Sequence, residues 1–227
     1  MSAPPLPTAL FAAIRRDLKP VRPLASPERR ALALLPIAIL LLVGLPEFGS
    51  WRTHSVLAPW PTAFLSVLET VLSLVVVAAG FREAVPGREL SRRSVTLLIG
   101  AGVLGFVIVN ATLRSPAGIS STLWTRWFWE CISAAMTFSI PALVAPAWLV
   151  SRALPTRPAL TGALCGFGIG LMADAGMRLL CWDGDYVHVL VAHGGAIAIL
   201  VALGAMSASI VERIKARSRT TSAPPEG

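Results

Sequence analysis

The sequence predicts an all-α membrane protein: a six-transmembrane-helix bundle with both termini cytoplasmic. Three observations predict it. The first is composition: of 227 residues 55% are hydrophobic and 14% charged, with 18 Gly and 18 Pro, which lies outside the range of an ordinary soluble domain. The second is spacing. Apolar stretches separated by charges run from Pro27 to Leu45, Thr62 to Gly80, Ser94 to Leu113, Phe128 to Val150, Ala159 to Leu180 and Val187 to Ile210, each about the ~20 residues that cross ~30 Å of hydrocarbon. The third is charge asymmetry. Sixteen of the 20 Lys and Arg lie before or in the first turn of the first span, between spans two and three, between spans four and five, and after span six. Arg52, Arg114 and Arg126 lie on the other side, and Arg178 falls inside a span. The positive-inside rule then puts both termini of a multi-pass membrane protein in the cytoplasm. The net charge of +8 records that topology and contact with membrane lipid, and gives no reason to expect direct nucleic-acid binding. Trp51, Trp60, Trp124, Trp127, Trp129 and Trp182 form a belt at the opposite face, with Trp148 alone on the cytoplasmic side.

The predicted layout is a cytoplasmic segment 1–26, a transmembrane domain 27–210 and a disordered cytoplasmic tail 211–227. The N-terminal segment is rich in Pro and Arg and no small-residue cleavage site follows the first apolar run, so it is expected to stay on the mature chain. Within it Phe11, Ile14 and Leu18 share a helical face with Leu10, while Arg15, Arg16 and Asp17 lie mostly elsewhere. Such a short amphipathic helix either rests on the inner membrane surface or docks in a partner's groove. Pro20, Pro23 and Pro27 then enforce an extended connection. Ser26-Pro27-Glu28 is a helix start, although Pro36 interrupts the first span and Pro46 ends it. The loops between spans are too short for an extramembrane domain. Span five carries Gly162, Gly166 and Gly170 at four-residue spacing, a face that admits a close neighbour.

Depth, counted at 1.5 Å per residue, puts Glu69, Asp174 and His193 roughly 9 to 11 Å below the outer boundary. Arg178 follows Asp174 by one turn, a favourable ion pair, and Asn110 is near the end of span three. Ionisable groups in a span must face protein or water, so a polar cluster is expected in the outer third of the bundle. It either fixes helix register or relays a signal. No comparable set of polar groups is evident on the inner half.

Cys131 and Cys181 both fall at the outer rim. Cys165 is 16 residues before Cys181 in the same helix, about 24 Å along the axis, and reads as a small buried apolar residue. Two cysteines at one depth on the oxidising side form a disulfide or hold a soft metal such as Cu or Cd as thiolates. Asp183, Asp185 and His188 are close enough in sequence to complete a metal site. No spacing is diagnostic, and no cofactor is required. In "HVLVAH" the histidines His188 and His193 are five apart, about 140° from one shared face of an α-helix. "CWDGDYVHVLVAHGG" is therefore a turn with Asp-Gly-Asp chemistry first, and a sensor site only if Cys131 joins it.

"PTRPALTGALCG", the span ending in "LLCWDGDYVHVLVAHGG", and "DLKPVRPLASPERR" before the first span together resemble the NrsF-type family (negative regulator of sigma F) of membrane anti-sigma factors. The resemblance covers the N-terminal segment and spans five and six. It implies an anti-sigma factor, not an enzyme, that sequesters an extracytoplasmic-function (ECF) sigma factor at the inner membrane through its N-terminal segment. Phe11, Ile14, Arg15, Arg16, Leu18 and Arg22 would form the sigma-binding surface. It also implies that Cys131 and Cys181 sense heavy-metal or oxidative stress. Two rivals have less support. A thiol oxidoreductase usually needs two communicating cysteine pairs, and only one accessible pair exists. A small-solute or ion transporter would rest on Glu69, Asp174, Arg178 and His193 alone, without evident internal repeats.

Overall fold

In an ordinary soluble helix the apolar stripe turns inward. Helix α3 (Trp60–Glu83) does the reverse: its buried face is Ser66, Glu69, Thr70, Ser73, Val76, Val77 and Gly80, while Phe64, Val67, Leu68, Val71 and Val75 are exposed. Lipid tails are as apolar as leucine, so burying leucine gains little. Small and polar residues take the protein-facing side because they permit close approach and hydrogen bonding.

The computed structural model describes residues 12, 15, 23–45, 60–112, 126–181 and 186–221. Among them all regular structure is helical: α1 (Pro27–Leu32), α2 (Leu35–Ile39), a π-helical stretch Leu40–Gly44, α3, α4 (Arg92–Thr112), α5 (Arg126–Ser151), α6 (Pro158–Leu180), the single turn α7 (Tyr186–His188), a second π-helical stretch Val189–His193, and α8 (Gly194–Thr221). Among the described residues five helices are long and apolar enough to cross a membrane; Leu35–Gly44 is a shorter apolar helix.

The segment from Pro27 to Leu45 is thus broken rather than one continuous helix. Ser26 caps α1 by accepting from the Arg29 N–H at 3.3 Å, with Pro27 in the first turn. Pro36 has no N–H to donate back to Leu32, so α1 stops and the chain restarts with Pro36 in the first turn of α2, where proline is tolerated. The segment still travels along the bundle. At its start the Arg30 guanidinium lies 4.5 Å from the Phe81 ring centroid and donates to the Leu149 carbonyl. At its end the Leu41 carbonyl packs on Gly176.

Helix α6 is the centre: 83% of its apolar window is buried, against 22% for α4. Glycines admit its neighbours. A Cβ on Gly162 would sit 2.0 Å from the Gly204 carbonyl oxygen, and one on Gly166 would sit 2.2 Å from the Leu200 oxygen, both on α8. Cys165 is buried in the core beside Gly80 of α3.

At the end of the bundle where α3 stops and α6 begins, Glu83 is fully buried, 3.1 Å from Arg157, and accepts from the Leu90 N–H. Thr156 donates to Glu89 at 3.1 Å. The N–H groups of Glu89 itself and of Gly87, then Thr156, hold the Glu89 carboxyl below the usual range. The end of the bundle expected to face inward therefore carries polar groups that the sequence reading missed. Helix α8 also runs past Ile210 to Thr221, and Lys215 Nζ donates to the Ser151 carbonyl at 2.7 Å. Residues 211–221 are helical where a disordered tail was expected.

Candidate functional site

At the opposite end three chain segments converge. Cys131 stands in the second turn of α5. Cys181 closes α6: its N–H donates to the Met177 carbonyl at 2.6 Å and its backbone turns extended, which ends the helix and aims the side chain back over the bundle. The two cysteines are not joined by a disulfide, and their Sγ atoms are 3.7 Å apart. Cys165 is a member of the core cluster instead.

His188 and His193 share this site, against the expectation of 140° between them. The cause is the π-helical stretch Val189–His193, in which the Gly194 N–H reaches the Val189 carbonyl five residues back. A helix closed by i→i+5 bonds brings residues five apart onto one face. The two imidazole centroids are 6.2 Å apart, and His188 Nε2 lies 3.8 Å from Cys181 Sγ. The Phe128 ring closes over His188, edge to face at 6.2 Å. One ligand atom from each of Cys131, Cys181, His188 and His193 falls within 4.8 Å of all the others. Cys181, His188 and His193 are buried. The neighbouring Cys131 thiol, followed by His188 and His193, holds the Cys181 thiol below its usual range against the opposing effect of burial.

Behind this group lies the polar layer predicted from depth. His193 Nδ1 is 2.7 Å from Asp174 Oδ1. Asp174 Oδ2 accepts from Arg178 Nη2 and, at 3.3 Å, from Asn110 Nδ2. Arg178 Nη2 also donates to Glu69, Nη1 to Ser66 at 3.4 Å and Nε to the Asn110 oxygen at 3.4 Å. One guanidinium thus holds two carboxylates from α3 and α6 and an amide from α4, all buried. Such a network resists pulling apart, because a stranded buried charge costs about 3–5 kcal/mol.

Asp183 and Asp185 lie outside the described residues, as do Phe11, Ile14, Arg16, Leu18 and Arg22; Arg15 is helical and exposed. The sequence reading separated His193, as part of the polar layer, from the cysteines. The structure makes it the hinge between the two. Ser66 was also missed, since a hydroxyl on an apolar helix carries no signal until its neighbours are known.

No curated protein and no solved structure matches the chain. A family model does: NrsF, negative regulator of sigma F, matches residues 14–213, most of the chain, and the protein belongs to that family of regulators.

Proposed function

We propose that this chain is an anti-sigma factor of the bacterial inner membrane that sequesters an ECF sigma factor through its cytoplasmic N-terminal segment and releases it when Cys131 and Cys181 meet a heavy metal or an oxidant. The observation that carries the sensor half is the meeting of two unoxidised thiols, 3.7 Å apart, at the opposite end from Arg30, Glu83, Arg157 and Lys215. A thiol pair joining the ends of α5 and α6 changes length and stiffness when it is oxidised or binds a cation. His193 and Asp174 connect that end to the buried network across α3, α4 and α6.

In this reading the broken segment Pro27–Leu45 is the sixth crossing. Its 19 residues reach about 28 Å at 1.5 Å per residue, close to one hydrocarbon thickness. Six crossings return the C-terminus to the side of the N-terminus, the side favoured by the Lys and Arg distribution. The direct test is purification of the tagged chain from its native membrane, with mass-spectrometric identification of bound protein before and after cadmium or peroxide. A sigma factor recovered from untreated cells and lost after treatment supports the reading. Purification without any sigma factor sinks it.

A further inference from the structure

We propose that Cys131 Sγ, Cys181 Sγ, His188 Nε2 and His193 Nε2 bind one borderline-soft cation of the zinc class in a closed four-ligand site, with Asp174 as the carboxylate behind His193. The inference deepens the sensor reading of the two cysteines and rests on it only for what the ion signals. Binding itself stands on geometry.

Metal–sulfur bonds of about 2.3 Å and metal–nitrogen bonds of about 2.0–2.1 Å, set tetrahedrally, require ligand atoms roughly 3.3–3.8 Å apart. The measured Sγ to Sγ distance is 3.7 Å and the Cys181 Sγ to His188 Nε2 distance is 3.8 Å. All four ligand atoms lie within 4.8 Å of one another, so sub-ångström movements close the set. A sulfur–sulfur bond would need the thiols at about 2.05 Å.

His193 supplies the independent observation. Its side chain is buried, its Nδ1 is committed to Asp174, and its Nε2 has no hydrogen-bond partner. A buried imidazole nitrogen left so is costly unless something fills its lone-pair direction. Donation from Nδ1–H to a carboxylate fixes the tautomer that presents Nε2 as a ligand, the usual support behind a metal-bound histidine. The π-helical stretch that turns His193 toward His188 is a local departure from α-helix, of a kind frequent at functional sites.

Donor chemistry sets the ion. Two thiolates and two neutral imidazoles suit Zn, Cd or Cu(I) and disfavour Mg and Ca, which want oxygen. Two thiolates neutralise a divalent charge, so the ion enters the bundle without a net charge. Four protein ligands leave no open position, which marks a structural or regulatory site rather than a catalytic one. Its ligands come from α5, the end of α6 and the run into α8, so the ion ties three helix ends together.

The test uses the full chain in detergent, reduced and stripped with chelator, then titrated with Co2+ and competed with Zn2+. One Co2+ per chain, with the strong visible bands of tetrahedral cobalt, thiolate charge transfer in the near ultraviolet, and displacement by equimolar Zn2+, is the expected result. Cys131→Ser and Cys181→Ser should each weaken binding at least about tenfold and lower the charge-transfer absorption, and Cys165→Ser should leave both unchanged. His193→Cys keeps four ligands and should keep one ion, with charge transfer per ion raised by about half as two thiolates become three. Asp174→Asn should weaken binding about 10- to 100-fold. Weak octahedral-type bands, no binding by the unaltered chain, or charge transfer unchanged in His193→Cys would overturn the site. No sigma factor is needed for any of these readings, so failure of the metal site and failure of the anti-sigma role are told apart.

Discussion

The Nδ1 of His193 meets the Oδ1 of Asp174 at 2.7 Å, and through that one contact the cysteine end of the bundle is joined to a guanidinium shared by two carboxylates. Any shift of His193 is felt at Asp174, and Asp174 cannot move without disturbing Arg178, Glu69 and Asn110. Three helices would have to readjust together. That is the behaviour required of a two-state bundle, in which a change at one end biases packing elsewhere.

The first prediction concerns that guanidinium. Arg178→Met strands Asp174 and Glu69 without their shared donor and should cost about 3–5 kcal/mol in detergent unfolding. Adding Glu69→Gln to it should recover part of the loss, since one buried charge is then removed. An Arg178→Met protein as stable as the original would show that the network does not hold the helices.

Glycine packing gives a prediction with an internal control. Gly162→Ala places a methyl group 2.0 Å from the Gly204 carbonyl and Gly166→Ala one 2.2 Å from the Leu200 carbonyl. Neither backbone can yield without separating α6 from α8, so each should destabilise by about 1–3 kcal/mol. Gly100 of α4 has nothing within 4 Å of an added Cβ, and Gly100→Ala should be neutral or stabilise by about 0.5–1 kcal/mol through helix propensity. Equal effects at Gly100 and Gly162 in thermal unfolding would mean that the glycines act only on backbone freedom.

Much of this was legible in the sequence because membrane helices are regular. Counting 1.5 Å per residue placed Glu69, Asp174 and His193 in one layer with Arg178 one turn from Asp174, and the structure joins all four. What was lost follows from departures from that regularity. The 140° assigned between His188 and His193 assumed an α-helix, and a π-helical stretch removed it. The break at Pro36 was expected, but not the π-helical stretch Leu40–Gly44 that follows it. Glu83 was not singled out in the sequence, and its burial depends on Arg157 and the Leu90 N–H arriving from elsewhere in the chain. The Leu41 and Leu45 contacts to Gly176 had no sequence signal at all.

The proposed topology rests on charge and on an even number of crossings. A reporter fused after Cys181 should be active only outside the cytoplasm and one fused after Thr220 only inside, because sixteen of the 20 Lys and Arg lie on the proposed inner side. The same compartment for both fusions would remove the six-crossing arrangement and with it the outward position of the thiol pair.

The last prediction links the two ends. The spacing of Phe11, Ile14 and Leu18 would put them on one face of a helix, and apolar contact through them is expected to hold the sigma factor, with Arg15, Arg16 and Arg22 acting on encounter. Replacing the three apolar residues with Asp should abolish co-purification and leave sigma-dependent transcription permanently on, whatever the state of the cysteines. Cys131→Ser and Cys181→Ser should do the opposite, keeping the sigma factor bound while blunting induction by cadmium or peroxide. The double cysteine change should add nothing to either single one, since one thiol cannot perform the pair's chemistry. Combining the tail and cysteine changes should reproduce the tail phenotype alone, because loss of grip lies downstream of loss of sensing. Inducible behaviour in the combined variant, with the protein present in the membrane, would mean that the sigma factor is held by some surface other than this helix.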